Sequence, residues 1–360
     1  MDQIVERANG NPVSDEGGRL YVPTGATLLN LALSDRIDGG FLAGKIINII
    51  GDSSSGKTFL SFSLLGEVSL LSMFGGHRLI YDDAESANEF DLVRLFGQNI
   101  AERIEPPARN EDGEPVNSRT IQDFQANVLS CLKRSPCVYV LDSLDALTSD
   151  EEMRHAEKQD KARAKGEKGP GTYGMEKAKH ASILLRLIAS EVKKTKSLVV
   201  IISQTRDNID PMSFQRKTRA GGKALTFYAS YEIWTAVERK IHVKVGEKSR
   251  TIGVVCKAKI SKNKATGKVR EVSFPIYYDY GVDDIGSCVD FLVSEKAWIK
   301  SGTGKIDAGT LRISATRDKL IRAIEDKDSF VYKMKKEVAA VWKGIEDSLR
   351  LDRKPKYERS

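Results

Sequence analysis

Ile46–Leu65 reads IINIIGDSSSGKTFLSFSLL: a short apolar run, a loop of small residues, and a second apolar run. Between the runs, Gly51, Asp52, Ser53, Ser54, Ser55, Gly56, Lys57 and Thr58 match the spacing G-x-x-x-x-G-K-[ST]. Glycine and serine let successive backbone N–H groups converge on a polyphosphate with no side chain in the way. The helix that follows presents its N-terminus to the same anion. In this setting a lysine bridges the β- and γ-phosphates and a hydroxyl ligates Mg²⁺, roles that fall to Lys57 and Thr58. A chance Gly/Ser loop has no need of a strand before it and a helix after it, and here both are present. ATP and Mg²⁺ are therefore the expected cofactors.

A phosphate cradle alone hydrolyses nothing, so a carboxylate for the metal must come from elsewhere. VYVLDS supplies Asp142 at the end of an apolar run, where α/β sheets place their ligands; Asp145, three residues on, is less well placed. LIYDDAES ends a strand in Asp82 and Asp83, with Glu85 in the adjoining turn. Any of these three acids could orient and deprotonate an attacking water, and spacing does not choose among them. VVIISQTR puts Gln204 where a strand leaves the sheet; a neutral amide there can sense a γ-phosphate and move the loop behind it.

The runs RLIYDD, CVYVLD and SLVVIISQ are strand-length, almost wholly apolar, and separated by helical patterns. Such alternation predicts an α/β fold with a mainly parallel sheet covered on both faces. FLSFSLLGEVSLLSMFGG predicts a helix of about five turns that stops at paired glycines. From Tyr228 to about Tyr280 strands predominate, read as antiparallel additions at one edge. The expected organisation is an N-terminal arm over 1–22, an ATPase core over 23–286, and a small C-terminal α/β domain over 287–360. With 360 residues, 40% of them hydrophobic and 30% charged, the chain can bury a sizeable core. A formal net charge of +7 is compatible with nucleic acid, although diffuse basicity is a weak signal. No apolar run approaches a membrane span. Cys131, Cys137, Cys256 and Cys288 lack metal-ligand spacing and fit a reduced cytoplasm.

Taken in order, GDSSSGKT, YDDAES, VYVLDSLDAL and IISQTR…AGGKALTFYAS resemble the RecA-type homologous-recombination ATPases, over roughly Thr24 to Gly281. The resemblance implies a P-loop NTPase core of RecA type and settles the choice of acid. Glu85 matches the family's water-activating glutamate, and Gln204 its switch glutamine. Glu89 and Tyr278 fall where the family contacts the adenine, with Glu89 in place of the usual Asp. Lys257 and Lys259, in VCKAKISK, match a lysine pair that reaches the γ-phosphate bound to a neighbouring subunit. Alternation along a strand agrees, since it puts both on one face.

Two segments resemble the family's DNA-binding loops. The first, about 149–173, mixes both charge signs. The second, 205–223, carries Arg206, Arg216, Lys217, Arg219 and Lys223, with Met212 and Phe214 as apolar groups to wedge between bases. Gly221 and Gly222 let its backbone approach the strand closely. A basic hairpin, KISKNKATGKVR, adds a further candidate phosphate contact. The resemblance implies filaments on single-stranded DNA, homologous duplex DNA as second partner, and help from single-strand-binding and loading proteins. The short arm, in which RLYVP could supply a pairing strand, the long first loop and the basic end depart from bacterial members and suggest a divergent one, such as a phage would carry into a host cytoplasm. Two rival readings remain: an annealing or mediator ATPase, and a hexameric ring motor such as a helicase.

Overall fold

In a computed structural model, residues 18–155, 158, 176–207, 217–219, 222–353 and 357 are described. The framework is a ten-stranded sheet. Its strands, in chain order, are β1 (Lys45–Gly51), β2 (Arg78–Asp83), β3 (Ile104–Glu105), β4 (Cys137–Asp142), β5 (Leu198–Asp207), β6 (Lys217–Arg219), β7 (Tyr231–Val245), β8 (Lys248–Asn263), β9 (Arg270–Tyr277) and β10 (Gly281–Val282). Their spatial order is β10-β9-β8-β7-β1-β5-β4-β2-β3, with β6 paired to β5. Every pairing from β7 through β1, β5, β4 and β2 to β3 is parallel. The β7–β8, β8–β9 and β9–β10 pairings are antiparallel. This is the mainly parallel sheet with antiparallel edge strands that the periodicity predicts.

The continuous apolar runs have a direct cause: the strands bury both faces. Alternate residues feed two clusters. Ile47, Ile49, Leu79, Val138, Val140, Val200 and Ile202 face one side, where α1 (Thr27–Ser34) and α2 (Lys57–Leu70) pack. Ile46, Ile80, Tyr139, Leu141, Val199 and Ile201 face the other, against α3 (Ile121–Arg134) and α4 (Glu176–Thr195). Asn48 is the one polar side chain in the middle of β1; its amide donates to Ile201 O and Ser203 Oγ, both at 2.8 Å.

Helix α2 ends earlier than its sequence predicts. Leu71 is extended (φ −95°, ψ 119°) and only a 3₁₀ turn, Ser72–Phe74, continues the coil. The reason is tertiary: the Arg103 guanidinium donates to Val68 O and Ser69 O, then to Phe74 O and His77 O. One side chain satisfies carbonyls that another helical turn would have used.

Tyr21–Val22 pairs antiparallel with Phe41–Leu42, so the RLYVP strand is engaged within the chain. After α5 (Gly222–Tyr228) and the edge strands come α6 (Asp284–Ser294), a three-stranded sheet, α7 (Arg317–Glu325) and α8 (Asp328–Ser348). Cys288, Leu292, Trp298, Leu320, Met334 and Val338 join the same apolar cluster as α1 and α2. Polar ties reinforce this packing: Thr27 N and Oγ1 donate to the Asp284 carboxylate at 2.6 and 2.9 Å. Among the described residues, no helix is long and apolar enough to cross a membrane.

Candidate nucleotide site

The register of the parallel strands aligns their C-terminal ends. Gly51 lies opposite Gln204 across β1–β5, and Asp83 opposite Asp142 across β2–β4. Four elements far apart in sequence thus end along one edge, where the loop Gly51–Thr58 leaves β1.

Glycine at position 51 is required by close approach, because a Cβ there would overlap the Thr235 and Ser55 hydroxyls. Those hydroxyls share a hydrogen bond of 2.8 Å, and Thr235 Oγ1 also donates to Ile50 O at 3.2 Å. Gly56 has φ +91°, and a Cβ there would stand 2.6 Å from Ile276 Cδ1. The loop is therefore held by β7 and β9 as well as by its own helix. Lys57 Nζ donates to Gly51 O at 3.0 Å and Asp52 O at 2.7 Å. Burial lowers the pKa of its amine, while the carboxylates of Asp142 and Glu85 pull it back up.

Thr58 Oγ1 donates to Asp142 Oδ2 at 2.7 Å, and Tyr81 OH donates to the same oxygen at 2.9 Å. Burial raises the Asp142 pKa, and those two hydrogen bonds oppose it. A hydroxyl beside a carboxylate is the hard oxygen donor set that suits Mg²⁺.

The three acids of YDDAES separate clearly. Asp82 is buried, accepting from Ser118 N (2.9 Å), Ser118 Oγ (2.6 Å) and Tyr139 OH (2.7 Å), so it braces the sheet. Asp83 accepts from Ala87 N and Asn88 N and caps the turn after β2. Glu85 faces the site: Ser143 Oγ donates to its Oε1, and Gln204 Nε2 donates to the same atom at 2.8 Å. Gln204 is anchored in turn, since its backbone N–H donates to Asp145 Oδ2 at 2.7 Å. Thr205 Oγ1 donates to Asp52 Oδ1, tying the start of the second loop to the phosphate loop. The sequence ranks Asp145 below Asp142 and gives Ser143 no role. The second acid in VLDSLDAL was their one visible signal.

Beside the phosphate loop lies a cavity of about 280 Å³, lined by Ser54 through Phe59 and by Phe90, Val254, Ile276 and Tyr278. Tyr278, which the resemblance implies at the adenine, is one of these lining residues. Glu89 is exposed and does not line the cavity; its neighbour Phe90 does, with its ring 4.8 Å from Phe59. A carboxylate prefers water over an apolar wall, and a phenyl ring the reverse.

On β8, Cys256 Sγ donates to Ser55 O, and Cys256, Ala258 and Ile260 are buried on the α2 side. Alternation then turns Lys257 and Lys259 to the opposite face, away from the chain's own phosphate loop. Lys257 Nζ sits 2.8 Å from Glu271 Oε1.

Arg206 is in β5, and Lys217 and Arg219 are in β6, which pairs with Thr205–Asp207 as an extension of β5. Gly222 and Lys223 open α5. Met212, Phe214, Arg216 and Gly221 lie outside the described residues, as does most of the first loop beyond a helical stretch at 150–155. Four of the five cations of the KISKNKATGKVR hairpin are engaged internally. Lys268 and Arg270 pair with Asp35 and Glu346, while Lys262 and Lys264 donate to the Phe227 carbonyl.

A twisted parallel sheet with a phosphate loop after one strand, an acid after a second and a carboxamide after a third defines a P-loop NTPase of the recombinase type. The pattern of the RecA N-terminal domain matches residues 18–283. Protein RecA of Geobacter metallireducens is 29% identical over 316 residues, covering 85% of this chain and 84% of the relative. Protein RecA of Azoarcus sp. is 31% identical over 282 residues, covering 78% and 72%. Protein RecA of Caldanaerobacter subterraneus is 30% identical over 300 residues, covering 80% and 78%. This chain belongs to the RecA family of recombination ATPases.

Proposed function

We propose that this protein is an ATP-dependent DNA recombinase that assembles on single-stranded DNA and pairs it with homologous duplex. The observation that carries this reading is the contact Glu85–Gln204, with β5 running from Gln204 straight into the paired hairpin β5–β6. The element that meets the γ-phosphate is then continuous with the proposed DNA loop, so ATP and DNA affinities are linked.

In this reading the phosphate loop and Lys57 hold the polyphosphate. Thr58 and Asp142 would hold Mg²⁺, which would supply neutralisation of phosphate charge. Glu85 positions and deprotonates the attacking water, and Gln204 reports the γ-phosphate to the residues behind it. Phe90 and Tyr278 flank the base. Lys257 and Lys259 act on nucleotide bound to a neighbouring protomer, as their placement on the far face of β8 favours. Residues 23–286 form the ATPase core, 287–360 a small C-terminal domain, and 1–22 an arm. Arg206, Lys217, Arg219 and Lys223, with Met212, Phe214, Arg216, Gly221 and Gly222, grip the strand.

Electron microscopy of the full chain with single-stranded DNA and a slowly hydrolysed ATP analogue tests this. Helical filaments, together with strand exchange in a pairing assay, are expected. Closed rings would favour the motor, and failure to assemble would favour the annealing or mediator reading.

A further inference from the structure

Glu271 stands on β9 directly opposite Lys259 in the β8–β9 register, and its carboxylate also bonds Lys257 at 2.8 Å. One acid therefore sits between the two lysines read above as acting on a neighbour. We propose that Glu271 holds Lys257 in reserve, so that the lysine is released only to a γ-phosphate offered by a neighbouring protomer. The inference rests on the trans reading of Lys257 and Lys259 and adds to it a positioning residue that sets how much triphosphate assembly demands.

The physical argument is one of competition. A lone carboxylate carries one negative charge, and a terminal phosphate carries more and accepts from three oxygens. A triphosphate can outbid Glu271, whereas a diphosphate lacks the group that would have to do so. Lys257 and Glu271 are 41% and 45% exposed, so the pair is loose enough to exchange. Glu271 foremost, by hydrogen bond and charge, and then Glu238 favour the charged form of the lysine. Nothing in this arrangement needs Glu271 for folding, because at the surface water can take its place.

The test is a double-mutant cycle on the full chain, reading the ATP concentration that half-saturates assembly on single-stranded DNA by light scattering. Glu271→Gln removes the charge and keeps the shape; Glu271→Ser removes both. Each is expected to lower the half-saturating ATP by about 1.5- to 5-fold, the range into which the strength of exposed ion pairs converts. In a Lys257→Gln background the same changes are expected to produce no shift in the residual assembly. No shift, or a rise, in the Lys257 background overturns the role of Glu271, as does an equal shift in the Lys257→Gln background. If Lys257→Gln itself assembles and hydrolyses normally, the trans reading is what fails, and this inference falls with it.

Discussion

Replacing Asp145 by alanine tests the coupling between nucleotide and DNA through the backbone of Gln204. The Asp145 carboxylate accepts the Gln204 backbone N–H at 2.7 Å, and its charge also acts on Lys57. A hydrogen bond to a charged group contributes about 1.5–3 kcal/mol. Without it the Gln204 backbone is free to drift, and the side-chain bond to Glu85 Oε1 at 2.8 Å loses its anchor. If that energy is drawn wholly from the ordered pose of Gln204, its population falls by about 10- to 150-fold, since 1.4 kcal/mol is a factor of ten. The assay is ATP hydrolysis with and without saturating single-stranded DNA. Asp145→Ala is expected to keep its DNA-free rate within about twofold and to lose at least tenfold of its DNA stimulation. Asp145→Asn still offers a carbonyl oxygen and is expected to fall between wild type and Asp145→Ala, because a neutral hydrogen bond keeps about 0.5–1.5 kcal/mol. Full DNA stimulation in a folded Asp145→Ala protein would refute the route from Glu85 through Gln204.

Glu85→Ala is expected to bind ATP and DNA yet hydrolyse about 100- to 10,000-fold more slowly, the range for loss of a general base; undiminished hydrolysis would move the base elsewhere. Phe90→Ala is expected to weaken ATP binding by roughly 2- to 13-fold, the worth of one aromatic contact, as read by fluorescent-nucleotide displacement, whereas Glu89→Ala leaves it nearly unchanged. The carboxyls of Asp35 and Glu346 give a pH signature. Burial raises both pKa values, but hydrogen bonds from Trp342 and Arg270 to Asp35, and from Arg270 and Lys268 to Glu346, outweigh it and leave both lowered. A depressed acid contributes stability that is present above its unfolded pKa and lost as pH falls through the folded one. Melting temperature should therefore drop as pH is taken below the ordinary carboxylate range, and Arg270→Ala should flatten that slope, measurable by calorimetry.

Local signals carried much of the fold. Apolar runs of strand length between helical periods implied a two-faced parallel sheet, and the clusters around Ile47 and Ile46 show why: each strand feeds both sides. The end of α2 was not legible, because Arg103, contributed by a later helix, closes it.

By itself the sequence determined the chemistry available: a glycine-bounded loop of small residues, a lysine and hydroxyl after it, and acids and an amide at strand ends. Those requirements are local in backbone and spacing, so they can be read from a string. Tertiary structure decided which of Asp82, Asp83 and Glu85 meets Gln204, that Phe90 rather than Glu89 walls the cavity beside the phosphate loop, and which way Lys257 faces. The first and last depend on strand register and pleat, which bring residues more than a hundred positions apart to within hydrogen-bonding distance. A linear sequence carries the residue types but not the register that joins them.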